Sequence, residues 1–289
     1  MTTQRPKKIL VTGGNSGIGW ALCRQLVADH DCHVLMGSRS RERGEQAIAT
    51  LRADLPSEKH EAVKLLLLDV GDDDSVANAV VSVRAGLAED EAIYALVNNA
   101  GIGLAANVSP EEVINTNLLG VRRMCEAFLA SGLVRERVVN VGSGSGPGYV
   151  SRCPDAAQPA LCREPEDWAA IASMLALDAQ GRTGLGSDAD VNGGYGISKA
   201  LLSLYTMLLA KEYPEILSSC VSPGWIKTKL VGNSGATKSP EEGTVSIRHC
   251  LFERLEGNGW YYGSDALRSP LHYMRNPGEP SYDGVVRDR

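Results

Sequence analysis

The chain has 289 residues, of which 43% are hydrophobic and 22% are charged, which is enough for a full buried core. The formal net charge of −6 gives no positive field that would favour nucleic acid or an acidic membrane as a partner. No apolar run approaches the ~20 residues that span a bilayer. The seven cysteines form no Cys-x-x-Cys pair, and the N-terminal sequence does not have the pattern of a signal peptide. Both features indicate reduced thiols and a cytoplasmic location.

Short apolar runs and helix-period patterns alternate along the chain. The apolar runs predict strands at residues 7–13, 32–37, 62–70, 94–101, 137–146, 218–225 and 259–263. Helical patterns predict helices at about 16–28, 41–55, 73–86, 110–131, near 165–180, from 195 onward, and at about 240–255. The alternation predicts an α/β fold, a doubly wound parallel seven-stranded sheet of the Rossmann type with helices on both faces. With no repeat and no linker, residues 1–289 are interpreted as a single domain.

One stretch departs from this alternation. Residues of about 147–192 are rich in Pro, Gly, Ala and Asp, and contain only the helix-like piece near 165–180. An irregular stretch this long inside a compact domain is usually functional, and often a lid. We therefore interpret it as a partly helical insertion.

The segment VTGGNSGIGWAL follows the first strand and opens the first helix, with glycines at Gly13, Gly14, Gly17 and Gly19. Glycines permit a tight turn and close approach of the backbone to a pyrophosphate. The helix N-terminus that follows presents free N–H groups to an anion. The segment therefore predicts a dinucleotide-binding site.

The end of the second strand indicates which dinucleotide. Arg39 stands twenty residues after Gly19, with Ser38 before it and no carboxylate until Glu42. A carboxylate at this place would bind the ribose diol of NAD, whereas a guanidinium binds a 2′-phosphate. We predict NADP(H), with Arg39 as the main contact. The alternative is that the arginines of this segment only form the solvated start of the second helix.

Tyr195 and Lys199 are four residues apart on a predicted helix, and therefore on one face. A phenol has a pKa of about 10, and a nearby cation favours its ionised form. A phenol whose pKa is lowered towards neutrality can act as a general acid or base. The alternative is a half-buried aromatic beside a solvated charge.

No metal site is predicted. His30, Cys32 and His33 are metal-ligand types, but no second cluster completes a four-ligand set. The acidic stretch at 69–76 lacks the spacing of a calcium loop and is interpreted as a helix start.

Five motifs stand in order along the chain, namely TGGNSGIG (12–19), NNAG (98–101), NTN (115–117), YGISK (195–199) and SPGWIKT (222–228). Over about residues 7–255 the chain thereby resembles the short-chain dehydrogenases/reductases. The resemblance implies a catalytic group of Asn117, Ser143, Tyr195 and Lys199. In it Lys199 binds the nicotinamide ribose and lowers the Tyr195 pKa. Tyr195 gives a proton to the substrate carbonyl oxygen as hydride arrives from the cofactor, Ser143 bonds the same oxygen, and Asn117 anchors a water that relays protons to Lys199.

The resemblance also implies a set of cofactor-binding residues. It comprises Gly13, Asn15, Ser16, Gly17, Ile18, Gly19, Ser38, Arg39, Asp69, Val70, Asn99, Ala100, Gly101, Tyr195, Lys199, Pro223, Gly224, Ile226 and Thr228. Residues 69 and 70 are expected near the adenine, 98–101 along the cofactor, and 226 and 228 at the nicotinamide amide.

The sequence also departs from the family pattern at several positions. Gly142 stands where the family often has a second serine, and Ser145 is a second candidate for the role of Ser143. Ser16 occupies a position where many NADP-preferring relatives carry a basic residue. Ser143 and Tyr195 are 52 positions apart, a spacing that resembles the monomeric carbonyl-reductase branch.

That branch implies NADPH-dependent reduction of a ketone or aldehyde by a monomer, with Tyr195 as proton donor and a small-molecule carbonyl as substrate. Two alternatives remain, which are oxidation of a steroid or secondary alcohol with NADP⁺ and a non-catalytic NADP(H)-sensing regulator. Cys153 and Cys162 of the insertion are either a redox pair or ordinary thiols. The start of the tail, about 264–289, is expected to close the substrate pocket, and its end to be disordered.

Overall fold

The computed structural model describes residues 5–103, 108–179, 194–228, 230 and 235–284. Its strands are β1 (Lys8–Val11), β2 (His33–Ser38), β3 (Val63–Leu67), β4 (Ile93–Asn98), β5 (Val134–Val141), β6 (Leu217–Val221) and β7 (Trp260–Tyr262). They form one sheet in the order β3-β2-β1-β4-β5-β6-β7, and every neighbouring pair is parallel. The predicted Rossmann-type sheet is therefore confirmed.

The helices lie between the strands. They are α1 (Gly17–His30), α2 (Arg41–Ala53), α3 (Asp73–Ala85), α4 (Pro110–Ile114), α5 (Gly120–Ala130), α6 (Ser145–Val150), α7 (Trp168–Ala179), α8 (Tyr195–Glu212) and α9 (Val245–Phe252). The acidic stretch before α3 starts that helix, as predicted, because the Asp72 side chain accepts a hydrogen bond from the Ser75 N–H at 2.7 Å.

Two apolar layers hold the helices against the sheet. All six residues of β4 are buried, as the apolar run predicts for a strand covered on both faces. Neighbouring residues of a strand point to opposite faces. Accordingly Leu96 packs in one cluster with Phe128 of α5 and residues of α8. Val97 packs in the other with Leu22 of α1 and residues of α9.

The structure corrects several predicted boundaries. The predicted strand 137–146 begins earlier and ends at Val141, because the chain turns there and α6 starts at Ser145. The predicted helix 110–131 is α4 and α5 joined by one π-helical turn, Asn115–Leu119, in which the Gly120 N–H bonds to the Asn115 carbonyl. Such turns are frequent at functional sites.

Within the insertion, α7 corresponds to the helix predicted near 165–180, whereas α6 and the 3₁₀ turn Gln158–Leu161 were not predicted. Residues 180–193 and the end of the tail, 285–289, lie outside the described residues. Across the part of the chain that the structure describes, no helix combines the length and the apolar character needed to cross a membrane.

Candidate active site

The predicted site residues gather at the carboxyl ends of the central strands. The glycine segment follows β1, residues 99–101 follow β4, Ser143 follows β5, and residues 222–228 follow β6. Tyr195 and Lys199 project from the first turn and a half of α8, which lies beside β5 and β6. In parallel α/β sheets this edge, where the strand order reverses, is where ligands bind.

The glycine segment forms a cradle that side chains would fill. Gly13 has a φ of +62°, and a Cβ atom there would lie 2.9 Å from the Cα atom of Ala100. Gly17 has a φ of +54° and faces the Thr228 side chain. At Gly19 a Cβ atom would lie 2.4 Å from the Gly13 carbonyl oxygen. Larger residues are therefore excluded, as close approach of a pyrophosphate requires.

Asn99 holds this cradle in shape. Its Nδ2 atom donates to the carbonyl oxygens of Thr12 at 2.9 Å and Gly13 at 3.2 Å. The Thr12 hydroxyl oxygen in turn accepts the N–H groups of Asn99 at 3.0 Å and Ala100 at 2.9 Å. Asn98, expected along the cofactor, turns its buried side chain away from the cradle and donates to Asn140 Oδ1 at 2.9 Å.

The N-terminus of α1 opens onto the cradle. Ser16, its N-cap residue, has an extended backbone and makes no capping hydrogen bond with its side chain, and the first turn carries no acidic residue. The N–H groups of that turn and the positive end of the helix dipole are therefore free for an anion. The cradle and this helix end together fit the pyrophosphate of a dinucleotide.

Arg39 is the candidate for the 2′-phosphate. Its side chain is exposed and makes no hydrogen bond or ion pair with any residue that the structure describes. Ser38 is buried and donates to the Ser40 carbonyl at 2.8 Å, which closes the turn that presents Arg39. By contrast, Arg41 lies 3.7 Å from Glu45 in an ion pair on α2. Arg39 directly follows β2 with an unpaired guanidinium, and Arg43, in the first turn of α2, is also exposed and unpaired among the described residues.

The four predicted catalytic residues come together next to the cradle. Tyr195 begins α8, is half-buried, and is hydrogen-bonded through its hydroxyl to Ser143. Lys199, one turn later, is 5% exposed, and its Nζ donates to the Val141 carbonyl at 2.8 Å. That Nζ lies 5.7 Å from the centre of the Tyr195 ring.

Asn117 lies on the π-helical turn and is fully buried. Its side-chain amide makes two hydrogen bonds to the backbone of Ile102. Oδ1 accepts the Ile102 N–H at 2.9 Å, and Nδ2 donates to the Ile102 carbonyl at 2.9 Å. A Cβ atom at Gly101 would lie 3.3 Å from Asn117 Oδ1 and 3.8 Å from Lys199 Nζ. Asn117 therefore fixes the loop after β4 against the lysine.

Comparison with known proteins identifies the family. A family model described as short chain dehydrogenase matches residues 7–154. The chain belongs to the short-chain dehydrogenase family.

The chain is 30% identical to a (+)-neomenthol dehydrogenase of Arabidopsis thaliana, over 89% of this chain and 95% of that protein. It is also 30% identical to carbonyl reductase [NADPH] 1 of Mus musculus, over 84% and 89% of the two chains. The solved structure of salutaridine reductase from Papaver somniferum superposes with a TM-score of 0.74 at 23% identity, covering 89% of this chain and 99% of that one. The chain is therefore an oxidoreductase that resembles carbonyl reductases, as predicted.

Burial sets the protonation of the two central groups of this short-chain dehydrogenase. Burial raises the Tyr195 pKa, and the hydrogen bond to Ser143 only partly opposes this. Burial also lowers the Lys199 pKa to about 8. The expectation that Lys199 lowers the Tyr195 pKa is not met in the protein chain alone. The reason is that desolvation of the phenol outweighs the favourable contacts and Nζ faces a carbonyl instead.

Ser143 and Ser145 were both candidates for the hydroxyl beside the tyrosine. In the dehydrogenase the phenol bonds Ser143, whose Oγ also accepts the Ser145 N–H at 3.1 Å. Gly142, where the family often has serine, packs under β6, since a Cβ atom there would lie 2.7 Å from Cys220 Sγ. The cysteine therefore occupies the space that a residue 142 side chain would need.

Arg123 of α5 was not predicted as a site residue, yet it holds the segment expected near the adenine. It donates to the Val70 carbonyl at 2.7 Å and to Asn115 Oδ1 at 3.2 Å, and it pairs with Asp73. Asp69 closes the same segment by accepting the Gly71 N–H at 2.9 Å. Because the partners of Arg123 lie up to 53 residues away along the chain, no local motif marks it.

The segment after β6 borders both parts of the site. Ile226 is buried beside Gly243, and Thr228 lies against Gly17 of the cradle. Gly224 follows Pro223 and donates its N–H to Ser222 Oγ at 3.3 Å. Trp225, 56% exposed, and Leu230, which lies against Gly103, give this rim an apolar surface.

The other reactive groups noted in the sequence lie elsewhere. His30 stacks on Phe252 with ring centres 4.2 Å apart, while Cys32 is buried and His33 is exposed. Among the described residues no group of three or more His, Cys, Asp or Glu could hold a metal ion. In the insertion, burial raises the pKa of the Cys153 and Cys162 thiols to about 11, which makes both poor nucleophiles near neutrality.

Proposed function

We propose that the chain catalyses the NADPH-dependent reduction of a ketone or aldehyde to an alcohol. The observation that carries the proposal is the hydrogen-bonded pair of Tyr195 and Ser143 hydroxyls beside the dinucleotide cradle, with the ammonium of Lys199 one helical turn away. Two hydroxyls that converge on one point are suited to a carbonyl oxygen.

Ser143 and Tyr195 have different roles in this reaction. Ser143 hydrogen-bonds the substrate oxygen and orients it towards Tyr195. A bound nicotinamide cofactor would supply a hydride to the carbonyl carbon. Tyr195 then gives its proton to the oxygen, so that the carbonyl gains one hydride and one proton and becomes an alcohol. The raised pKa of Tyr195 supports this direction, because the phenol is protonated near neutrality, as a proton donor must be.

Lys199 and Asn117 support the proton donor. With a pKa of about 8, most of the Lys199 amine is charged at pH 7, and the ammonium can bind ribose hydroxyls and stabilise the phenolate left after proton transfer. Asn117 holds the backbone of residue 102 and with it the wall facing Lys199. We propose that a water anchored at Asn117 returns a proton to the site.

NADPH is proposed over NADH because the unpaired Arg39 directly follows β2 and no carboxylate follows before Glu42. The similar carbonyl reductase [NADPH] 1 of Mus musculus is named for the same cofactor. A cytoplasmic location is proposed from the buried free thiols of the described residues and the acidic composition.

A monomeric state is proposed from the position of the insertion. Trp168 of α7 packs edge-on against Tyr205 of α8 at 5.7 Å, and Arg122 of α5 lies 4.2 Å from the Trp168 ring. The insertion thereby covers a face of α5 and α8 that would otherwise be open to a second subunit. Light scattering should give the mass of one chain, 30.8 kDa; a dimer or tetramer would contradict the proposal.

The deciding experiment is Tyr195→Phe, assayed for NADPH oxidation with a panel of aromatic ketones, quinones, steroids and α-dicarbonyls. Turnover should be lost while NADPH still binds, as followed by the fluorescence of the nicotinamide. Tyr213→Phe, at the other end of α8, is the matched control and should keep activity. Retained turnover in Tyr195→Phe would refute the mechanism. A wild type that binds NADPH but reduces no carbonyl would favour a sensing role.

A further inference from the structure

The C-terminal tail reaches back to the candidate active site through one side chain. A Cβ atom at Gly144 would lie 3.2 Å from the Sδ atom of Met274, and one at Gly148 would lie 3.7 Å from the same atom. Gly144 directly follows Ser143, and Gly148 lies four residues later, on the same face of α6. Met274 therefore rests on a surface of two glycines immediately beside the serine that bonds Tyr195.

Met274 does not serve as an ordinary core residue. Its side chain is 60% exposed, although it is a large apolar group held next to a functional edge. One side of the thioether lies over the two glycines, and the rest of the side chain is exposed. A side chain at Gly144 would crowd the sulfur, at 3.2 Å, whereas one at Gly148 would make an ordinary contact with it at 3.7 Å.

The tail that carries Met274 is locked by a buried ion pair. The side chain of the next residue, Arg275, is only 2% exposed and pairs with Asp265 just after β7. The same guanidinium donates to Ser269 Oγ at 3.0 Å and to the Glu279 carbonyl at 2.6 Å. Asp265 also accepts the Gly278 N–H at 3.2 Å.

The ion pair between Arg275 and Asp265 packs against the end of the sheet. A Cβ atom at Gly263, directly after β7, would lie 2.9 Å from the Arg275 guanidinium and 3.0 Å from Asp265 Oδ1. The ion pair is thus tied to the end of β7, which lies next to β6 in the sheet. A flexible tail could not define a pocket, but this one has a fixed position relative to Ser143.

We propose that Met274 forms an apolar subsite for the part of the substrate that flanks the reacting carbonyl, and that Arg275 and Asp265 are positioning residues that hold it there. The substrate class is then a ketone with an apolar or aromatic group next to the carbonyl. Methionine suits this use because the flexible, polarisable thioether adapts to ring edges. The inference rests on the proposed carbonyl reduction. It adds to it the part of the substrate that the enzyme recognises, namely the apolar group next to the carbonyl.

The test compares two α-dicarbonyls with the same reacting group, 2,3-butanedione and 1-phenyl-1,2-propanedione. Met274→Ala should raise KM for the phenyl diketone by roughly tenfold. It should leave KM for butanedione and for NADPH unchanged. Met274→Leu keeps the apolar volume and should restore the wild-type KM. Val81→Ala on α3, 67% exposed, is the control for removing an exposed apolar side chain far from the site.

The role of the Arg275–Asp265 ion pair is tested in the same assay with Arg275→Gln and Asp265→Asn, and the folding of each variant is checked by thermal unfolding. Both should reproduce the substrate-selective rise in KM of Met274→Ala with kcat for butanedione unchanged, and Arg275→Lys should restore part of the selectivity. Equal effects of Met274→Ala on both diketones, or no effect on either, would overturn the subsite. A wild type that reduces butanedione but not the phenyl diketone would overturn it as well. A wild type that reduces neither refutes the proposed function itself, and the subsite with it.

Discussion

Gly142, which directly precedes Ser143, lies so close to Cys220 that a side chain at 142 would overlap the Cys220 thiol. A Cβ atom at Gly142 would lie 2.7 Å from Cys220 Sγ, a separation that requires one of the two to move, and 3.2 Å from the Val221 carbonyl oxygen. Cys220 itself is buried in β6. The Cys220 thiol in β6 therefore restricts the residue before Ser143, just after β5, to glycine.

We expect Gly142→Ala to lower the free energy of unfolding by about 1–3 kcal/mol, because the added methyl group overpacks the contact with Cys220. In the Gly142→Ala/Cys220→Ala double variant the loss should be smaller than the sum of the two single losses, since the alanine at 220 makes room. Denaturant unfolding measures all three. Gly86→Ala, where the nearest atom would be at an ordinary 3.6 Å, is the control. Strict additivity would show that the two sites do not compete for space.

Arg39→Asp should raise KM for NADPH by roughly 10- to 100-fold, since it replaces the proposed charge-assisted contact to the 2′-phosphate by repulsion. KM for NADH should change little or fall. Arg41→Ala, which removes only the exposed ion pair to Glu45, should leave both values unchanged. Steady-state kinetics with each cofactor decides this, and equal changes in the two KM values would argue against the assignment.

Two neighbouring arginines of α5 allow a paired test. Arg123→Ala should release the Val70 carbonyl and Asp73, and so raise KM for NADPH several-fold with kcat unchanged. Arg122→Ala removes the contacts to Glu126 and Trp168 and should lower thermal stability without changing that KM. Cofactor titration by fluorescence gives an independent reading. The same effect of both substitutions on cofactor affinity would mean that Arg123 acts through general stability.

Lys199→Met should raise the melting temperature at pH 7 while it abolishes turnover. The folded pKa of Lys199, about 8, lies below its ordinary value of 10.5, because burial disfavours the charge. Between these values the unfolded chain binds a proton that the folded protein lacks, so rising pH stabilises the wild type there. The advantage of the variant should therefore shrink from pH 8 to 10.5. A difference in melting temperature that does not depend on pH would contradict this.

The sequence predicted the architecture because its signals are local and repeated. A buried parallel strand is a continuous apolar run, and each of the seven runs corresponds to a strand of the sheet. The turn after β1 was likewise predictable from its glycines. At Gly13 a φ of +62° and the contact with Ala100 leave no room for another residue type. The resemblance to short-chain dehydrogenases was confirmed by the family match.

Features that depend on distant parts of the chain were missed. Helix α6 contains Gly146, Pro147 and Gly148, residues that read as a loop but that lie buried in the folded chain, where Gly146 packs closely against the backbone of Lys199. The π-helical turn at 115–119 was missed, and the segment was predicted as part of one helix over 110–131. The pKa of Tyr195 could not be predicted from the spacing of YGISK, because spacing does not reveal how strongly burial opposes the charged form.

The first turn of α1 combines an uncapped end with the absence of acidic side chains. Such an end also attracts small oxyanions, and the unpaired Arg39 adds to the attraction. Buffers of phosphate, sulfate or citrate are therefore expected to act as competitive inhibitors, weakening apparent coenzyme affinity in proportion to their concentration. Assays in a zwitterionic sulfonate buffer of low ionic strength would separate the variants most clearly.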